Sequence, residues 1–112
     1  MQRFTQLLPL DRGILETIYF RAKNIRSADD LLAIYQQRYA GEPFVRLYNS
    51  GHVPDLHAVA RTNFCDIGVR FDAPTGRAVV VSAVDNLGKG AAGQAVQNMN
   101  LALGYPETEG LL

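Results

Sequence analysis

Few places in this sequence have residue types and spacings that could do chemistry. Gly88-Lys89-Gly90-Ala91-Ala92-Gly93 has the form G-x-G-x-x-G. Ahead of a helix, such glycines let the backbone approach a phosphate, and the amides of the helix start hydrogen-bond it. A dinucleotide fingerprint belongs to the first turn of a β-α-β unit, and no further parallel strand follows here. The same glycines equally suit a tight strand-to-helix turn with close helix packing. Asp11-Arg12-Gly13 sets a guanidinium beside a glycine at a strand start, an arrangement suited to bidentate capture of a carboxylate or phosphate. Its plainer alternative is an Asp11–Arg12 surface pair of little energetic consequence.

His52, Asp55 and His57 put three potential ligands within six residues. They lack any helical or CxxC-type spacing, so a solvated loop is expected and no metal site is assigned. Cys65 lies between Phe64 and Ile67 in an apolar strand. A nucleophilic thiolate needs access and a depressed pKa, usually from a helix N-terminus or a histidine. A core-packing thiol is therefore expected. No Ser, His and Asp arrangement stands out, nor a basic patch interleaved with aromatics for single-stranded nucleic acid.

The elements that must position these residues follow from periodicity. Gly13 to Lys23 reads as a strand rich in Ile, Thr, Tyr and Phe. Ser27 opens a helix, with Asp30 three residues on in an acidic version of the capping box. Ala28, Leu31, Leu32, Tyr35 and Tyr39 make its apolar stripe. Gly41 supplies a left-handed stop, and Pro43 prevents resumption. Phe44 to Tyr48 is a short strand, and Asn49 to Ala60 a loop. Asn63 to Asp72 and Arg77 to Asp85 form a hairpin through Ala73-Pro74-Thr75-Gly76. Gly90 to Leu103 is a second helix, with Ala92, Ala95, Val96, Met99 and Leu103 on one face.

The predicted order is β-α-β-β-β-α, an α+β fold with an antiparallel or mixed sheet and two helices over one face. In the first hairpin strand, Cys65, Ile67, Val69 and Phe71 alternate with Asp66, Gly68, Arg70 and Asp72, which predicts cover on one side. Its partner is apolar on both faces, with Val79, Val81 and Ala83 opposite Ala78, Val80 and Val84. That strand wants cover on both sides, from a partner subunit or another domain.

Bulk properties bound the rest. At 112 residues one domain is expected over 1–112. Eleven basic and eleven acidic residues cancel, so no overall field draws in nucleic acid or an anionic membrane. No apolar stretch is long enough to span a bilayer, and the first residues do not make a signal peptide. A single cysteine precludes an intrachain disulfide and fits a reducing, cytoplasmic location.

Four stretches together resemble one family. They are Leu7-Leu8-Pro9-Leu10-Asp11-Arg12-Gly13-Ile14-Leu15, Tyr39-Ala40-Gly41-Glu42-Pro43-Phe44-Val45, Thr62-Asn63-Phe64-Cys65-Asp66-Ile67-Gly68, and the run from Val84-Asp85-Asn86-Leu87-Gly88 through Asn100. In order and spacing they are similar to the carboxy-terminal part of N-acetyl-gamma-glutamyl-phosphate reductase, a relative of aspartate-semialdehyde dehydrogenase. The resemblance implies NADPH-dependent reduction of an acyl phosphate to an aldehyde in arginine biosynthesis. In that family a cysteine thiolate forms a thioester and a histidine assists as acid and base.

The family's cysteine motif, of the Asn-Pro-Gly-Cys-Tyr type, is not found here, and the dinucleotide-binding domain is absent. Gln6 stands at the family's histidine position, and an amide cannot serve as general acid or base. No catalytic residue is therefore assigned. What the resemblance carries over is Asn86, Gly88 and Gly90 toward the nicotinamide end of the cofactor, and Arg12 on the substrate side. It also implies a sheet used for subunit association. The expectation is a truncated or separately encoded reductase domain, inactive alone and without tightly bound NADP, that associates with itself or with a reductase amino-terminal portion. The rivals are a non-catalytic module that modulates a full-length reductase, and a small nucleotide-binding protein using the glycine turn.

Overall fold

The computed structural model describes residues 1–6 and 9–112. Leu7, Leu8 and the side chain of Gln6, all used in the resemblance, lie outside the described residues. Among the described residues, five strands and two helices appear in chain order: β1 (Gln2–Gln6), β2 (Ile14–Arg21), α1 (Ala28–Arg38), β3 (Val45–Leu47), β4 (Cys65–Asp72), β5 (Arg77–Val84) and α2 (Gly93–Leu103). A single π-helical turn, Gly88–Ala92, leads directly into α2. The strands form one mixed sheet in the order β1-β2-β5-β4-β3, in which β3 runs parallel to β4 and every other pairing is antiparallel. This is the expected α+β class with one strand more. Gln-Arg-Phe-Thr-Gln offers a single large apolar residue, so β1 carries little periodic signal. Pairing with β2 makes it a strand.

α1 forms as its sequence dictates. Ser27 Oγ accepts a hydrogen bond from the Asp30 amide at 3.2 Å, worth about 1 kcal/mol. The reciprocal bond reaches one residue further out than in a standard box, because Asp30 Oδ2 accepts from the Arg26 amide at 3.1 Å. Past the helix, Gly41 adopts φ +79°, the left-handed stop. The helix buries Leu31 and Leu32 against Ile67, Val69, Ala78 and Val80 of the sheet. Burial of each leucine contributes about 1.5–3 kcal/mol.

The other face is covered unevenly. Leu56 and Val59, from the irregular 49–60 segment, pack on Ala83 and Leu15. The same segment lies over β4, where a Cβ on Gly68 would stand 2.6 Å from the His52 carbonyl oxygen. Asp66 and Gly68 are therefore buried, and the start of β4 is covered on both sides rather than one. Further along this face, Phe4 and Tyr19 remain exposed, with Val79 and Val81 half-buried.

The second helix departs from expectation. It adds no side chain to either apolar cluster. It buries Gly93, Gln97 and Asn100 and exposes Met99, Leu101 and Leu103. A polar network explains the inversion. Gln97 Oε1 accepts from Asn63 Nδ2 at 3.0 Å and Lys89 Nζ at 2.6 Å, while Gln97 Nε2 donates to Glu107 at 2.6 Å. Asn100 Nδ2 donates to the carbonyls of Glu107 and Glu109. These bonds allow Gln97 and Asn100 to lie buried on this side of the helix, although Asn63 Oδ1 in the same network has no partner among the described residues. The apolar residues are left facing out.

Candidate functional site

The Arg12 singled out in the sequence meets a carboxylate 73 residues away. Asp85 follows β5 directly and is fully buried. Its Oδ1 accepts from Arg12 Nε at 3.3 Å and Nη2 at 3.1 Å, and from the amides of Leu87 at 2.8 Å and Gly88 at 3.1 Å. Oδ2 accepts from the Arg61 amide at 2.5 Å and lies 3.0 Å from Arg12 Nη2. Arg12 thus holds a carboxylate of the chain itself rather than the alternative Asp11 partner, because Asp85 offers it a dry, multiply bonded one. Burial pushes the Asp85 carboxyl pKa up, but the three backbone amides and the guanidinium outweigh it and hold it at about 2.

Local backbone makes this junction possible. Gly13, at φ +124°, donates its amide to Asn86 Oδ1 at 2.9 Å, and a Cβ there would press on Leu56 at 2.8 Å. Arg61 sits at φ +61°, a left-handed conformation costly for a residue with a Cβ. That conformation accompanies the amide bond to Asp85. Three segments, around 12–13, 61 and 85–88, are welded at one carboxylate.

Outside the weld, Arg12, Arg61 and His57 border a shallow depression of about 180 Å³ with Leu10 and Asp11. The outer edge of the Arg12 guanidinium not bonded to Asp85, the Arg61 guanidinium and the His57 imidazole can receive a small anion there, with Asp11 opposing them. Asp55 accepts from the amides of His57 and Ala58, so it caps its own turn. Among the described residues no three His, Cys, Asp or Glu side chains lie close enough to hold a metal ion.

The glycine turn does not form a phosphate cradle. The Leu87 and Gly88 amides, which would greet a phosphate, already hold Asp85. The Gly90 amide bonds the Asp85 carbonyl, and those of Ala92 and Gly93 bond Leu87 and Gly88. A Cβ on Gly88 would stand 2.5 Å from the Thr62 carbonyl oxygen, and one on Gly93 2.1 Å from Asn63 Oδ1. These glycines serve contact with the chain itself. A protein carboxylate occupies the place a phosphate would take. Leu87 and Gly90 stay exposed at the outer edge of the turn.

Cys65 is half-buried, its Sγ 3.5 Å from Ser82 Oγ, and it packs against the α1-side core. A second buried carboxylate was not singled out from sequence. Asp66 accepts from Arg46 Nε at 2.6 Å and Nη2 at 2.9 Å, and from the Tyr48 hydroxyl at 2.8 Å. Arg46 also lies 4.1 Å over the Phe64 ring and donates to the Ala58 carbonyl. Burial, then the bond to Asp66, raises the Tyr48 pKa. Asp85 and Arg61 were missed as well. A signal for Asp85 was present: an aspartate closing an apolar strand, with glycine three residues on, reads as a side-chain-capped turn.

Residues 2–86 match the family described as semialdehyde dehydrogenase, dimerisation domain. N-acetyl-gamma-glutamyl-phosphate reductase of Geobacter metallireducens is 57% identical over 105 residues, covering 94% of this chain and 30% of that protein. The Streptococcus sanguinis protein of the same description is 51% identical over 112 residues, which are 32% of its length. The chain thus spans about a third of the relatives it matches. Aspartate semialdehyde dehydrogenase II from Vibrio cholerae superposes with a TM-score of 0.68 over 86% of this chain and 28% of that one, at 21% identity. That likeness speaks to fold. The five-stranded sheet, the stretches shared with the reductases and the match over residues 2–86 make one case: the chain belongs to the semialdehyde dehydrogenase dimerisation-domain family.

Proposed function

We propose that this chain is the carboxy-terminal, self-associating part of an NADPH-dependent N-acetyl-gamma-glutamyl-phosphate reductase, a cytoplasmic enzyme of arginine biosynthesis that reduces an acyl phosphate to an aldehyde. The observation that carries this reading is 57% identity across 94% of the chain to a reductase of that description. Arg12, fixed by Asp85 with its outer edge at the 180 Å³ depression, is the group offered to the anionic substrate. Asn86, Gly88 and Gly90 form the turn that abuts the nicotinamide end of NADP held elsewhere. The turn contributes an edge and no phosphate site, which counts against a free-standing nucleotide-binding protein.

Two surfaces support association. The open sheet face, with Phe4 and Tyr19 exposed, suits a second copy. The exposed Met99 and Leu103, which share the outward side of α2, lie beyond the matched 2–86 and suit the amino-terminal portion of the reductase. The 112 residues alone carry no family-type nucleophile and do not turn over.

The test is complementation. The purified chain is expected to leave NADPH unoxidised with the acyl phosphate. Adding the separately produced amino-terminal portion of the Geobacter metallireducens reductase is expected to form a complex and to restore only slow oxidation, about 10²–10⁴-fold below the intact enzyme, because Gln6 stands where the family has its histidine. Turnover by the chain alone would overturn the reading. So would failure to form any complex with that portion by sedimentation.

A further inference from the structure

The depression beside Arg12 is walled by a segment with no regular structure of its own. His57, Ala60 and Arg61 line it, and all three belong to a stretch of turns between β3 and β4. Leu56 and Val59 anchor that stretch in the cluster with Ala83 and Phe64. Apolar contacts fix its depth but, being non-directional, not its orientation. The Leu56 carbonyl accepts from the Val59 and Ala60 amides at 3.4 and 3.0 Å, and the Val59 carbonyl from the Thr62 amide at 3.0 Å. The Ala58 carbonyl receives no backbone amide among the described residues. Arg46 Nη2 donates to it instead, at 2.9 Å.

Arg46 is itself tightly held. It is the register partner of Asp66 across the parallel β3–β4 pair. The fully buried Asp66 carboxylate accepts from its Nε at 2.6 Å and its Nη2 at 2.9 Å. The Tyr48 hydroxyl adds a third bond to the same carboxylate at 2.8 Å, and the Phe64 ring lies 4.1 Å from the guanidinium carbon. A planar fork bonded at two points and stacked on a ring has one orientation. Nη2 carries two hydrogens, so one can serve Asp66 and the other Ala58. A rigid link therefore runs from the sheet to the backbone between His57 and Arg61.

We propose that Arg46, aimed by Asp66, is a positioning residue for the anion depression. By fixing the Ala58 carbonyl it sets where the His57 imidazole and the Arg61 guanidinium meet an incoming phosphate. This role rests on the reading of the depression as the anion-receiving site. Arg46 acts through the backbone and touches no anion. A displacement of about 1 Å in recognising groups is enough to matter, because their bonds to the anion are short and directional.

Titration of the full chain with inorganic phosphate at constant ionic strength tests it, read by NMR at the His57 ring and the Arg61 Nε–H. Arg46→Lys keeps a cation beside Asp66 but replaces the fork with a compact ammonium. It is expected to weaken phosphate binding about tenfold. Tyr48→Phe removes a bond to the same carboxylate and leaves the Ala58 link intact. It is expected to lower the unfolding midpoint and leave phosphate affinity unchanged. Phe64→Leu takes the ring from beside the guanidinium and should weaken binding about two- to threefold. Unchanged affinity in Arg46→Lys, or in Phe64→Leu should Arg46→Lys not fold, overturns the positioning role alone. So does a loss in Tyr48→Phe as large as in Arg46→Lys, which would trace the effect to general stability. No phosphate-induced shift in the unsubstituted chain overturns the anion reading of the depression and the positioning role with it.

Discussion

The two ends of this sheet use the same residue type in opposite ways. At one end Arg12 is half-buried against a carboxylate that three backbone amides also bond. At the other, Arg77 stands between Arg21 and Asp72 across paired strands, and among the described residues none of the three forms an ion pair. A guanidinium beside a buried, fully bonded carboxylate holds the chain together. A guanidinium placed by strand register beside its own kind, with no bonded carboxylate, does nothing to hold the chain together. Burial and partner count, more than residue identity, separate the two roles.

The sharpest way to break this contrast is to empty the first end. Asp85→Ala leaves Arg12 and the amides of Arg61, Leu87 and Gly88 without their acceptor, and should cost about 3–5 kcal/mol, measured by urea unfolding. A loss under about 1 kcal/mol would mean that the weld contributes no more than an ordinary surface pair. Acid supplies a second reading of the same bond. The Asp85 pKa is lowered from 3.8 to about 2 in the folded chain. Its contribution is therefore fully present above the unfolded value and lost as pH falls through the folded one. Unfolding followed between about pH 5 and pH 2 should show a decline that Asp85→Asn lacks.

Next in size is Gly93→Ala. A Cβ there would stand 2.1 Å from Asn63 Oδ1 and 2.7 Å from the Gly88 carbonyl, so the start of α2 must shift. A loss of about 2–3 kcal/mol is expected. By contrast, Arg77→Thr at the other end removes both the like-charge pairing with Arg21 and the opposite-charge pairing with Asp72, which nearly cancel, and keeps a good strand former. Its effect should stay within about 0.5 kcal/mol of zero and vary little with salt. If both substitutions destabilise alike, the two ends are not different in kind.

How much of this was legible depended on the range of each interaction. The Ser27 cap, the Leu31–Leu32 stripe, Gly41 and the 73–76 turn are local signals, and α1 and the hairpin follow from them. β1 was invisible because its strand character comes from the β2 edge it pairs with. α2 was legible as a helix but not in orientation. Its apolar positions imply burial, yet Gln97 and Asn100 are the buried ones, through partners at 63, 107 and 109. At the candidate site the sequence pointed to Arg12, Asn86 and the glycines. It could not pair Arg12 with Asp85 across 73 residues, nor see that the glycine amides were already taken. Contacts distant in sequence leave no spacing to read.

The smallest expected effect sits at Arg61, where the two roles of arginine meet in one residue. Its amide helps hold Asp85, while its exposed side chain borders the 180 Å³ depression. Arg61→Gly keeps the amide and relaxes the φ +61° backbone. The strain released is about 1 kcal/mol, offset in part by the greater freedom of glycine in the unfolded chain. A net gain of a few tenths of a kcal/mol is expected in urea unfolding, with the acid decline set by Asp85 unchanged. In the complemented reductase the same variant should raise KM for the acyl phosphate severalfold and leave kcat near its original value, since the lost guanidinium borders the anion's approach and touches no reacting atom. Unchanged KM would confine Arg61 to its amide and leave Arg12 alone at the mouth of the depression.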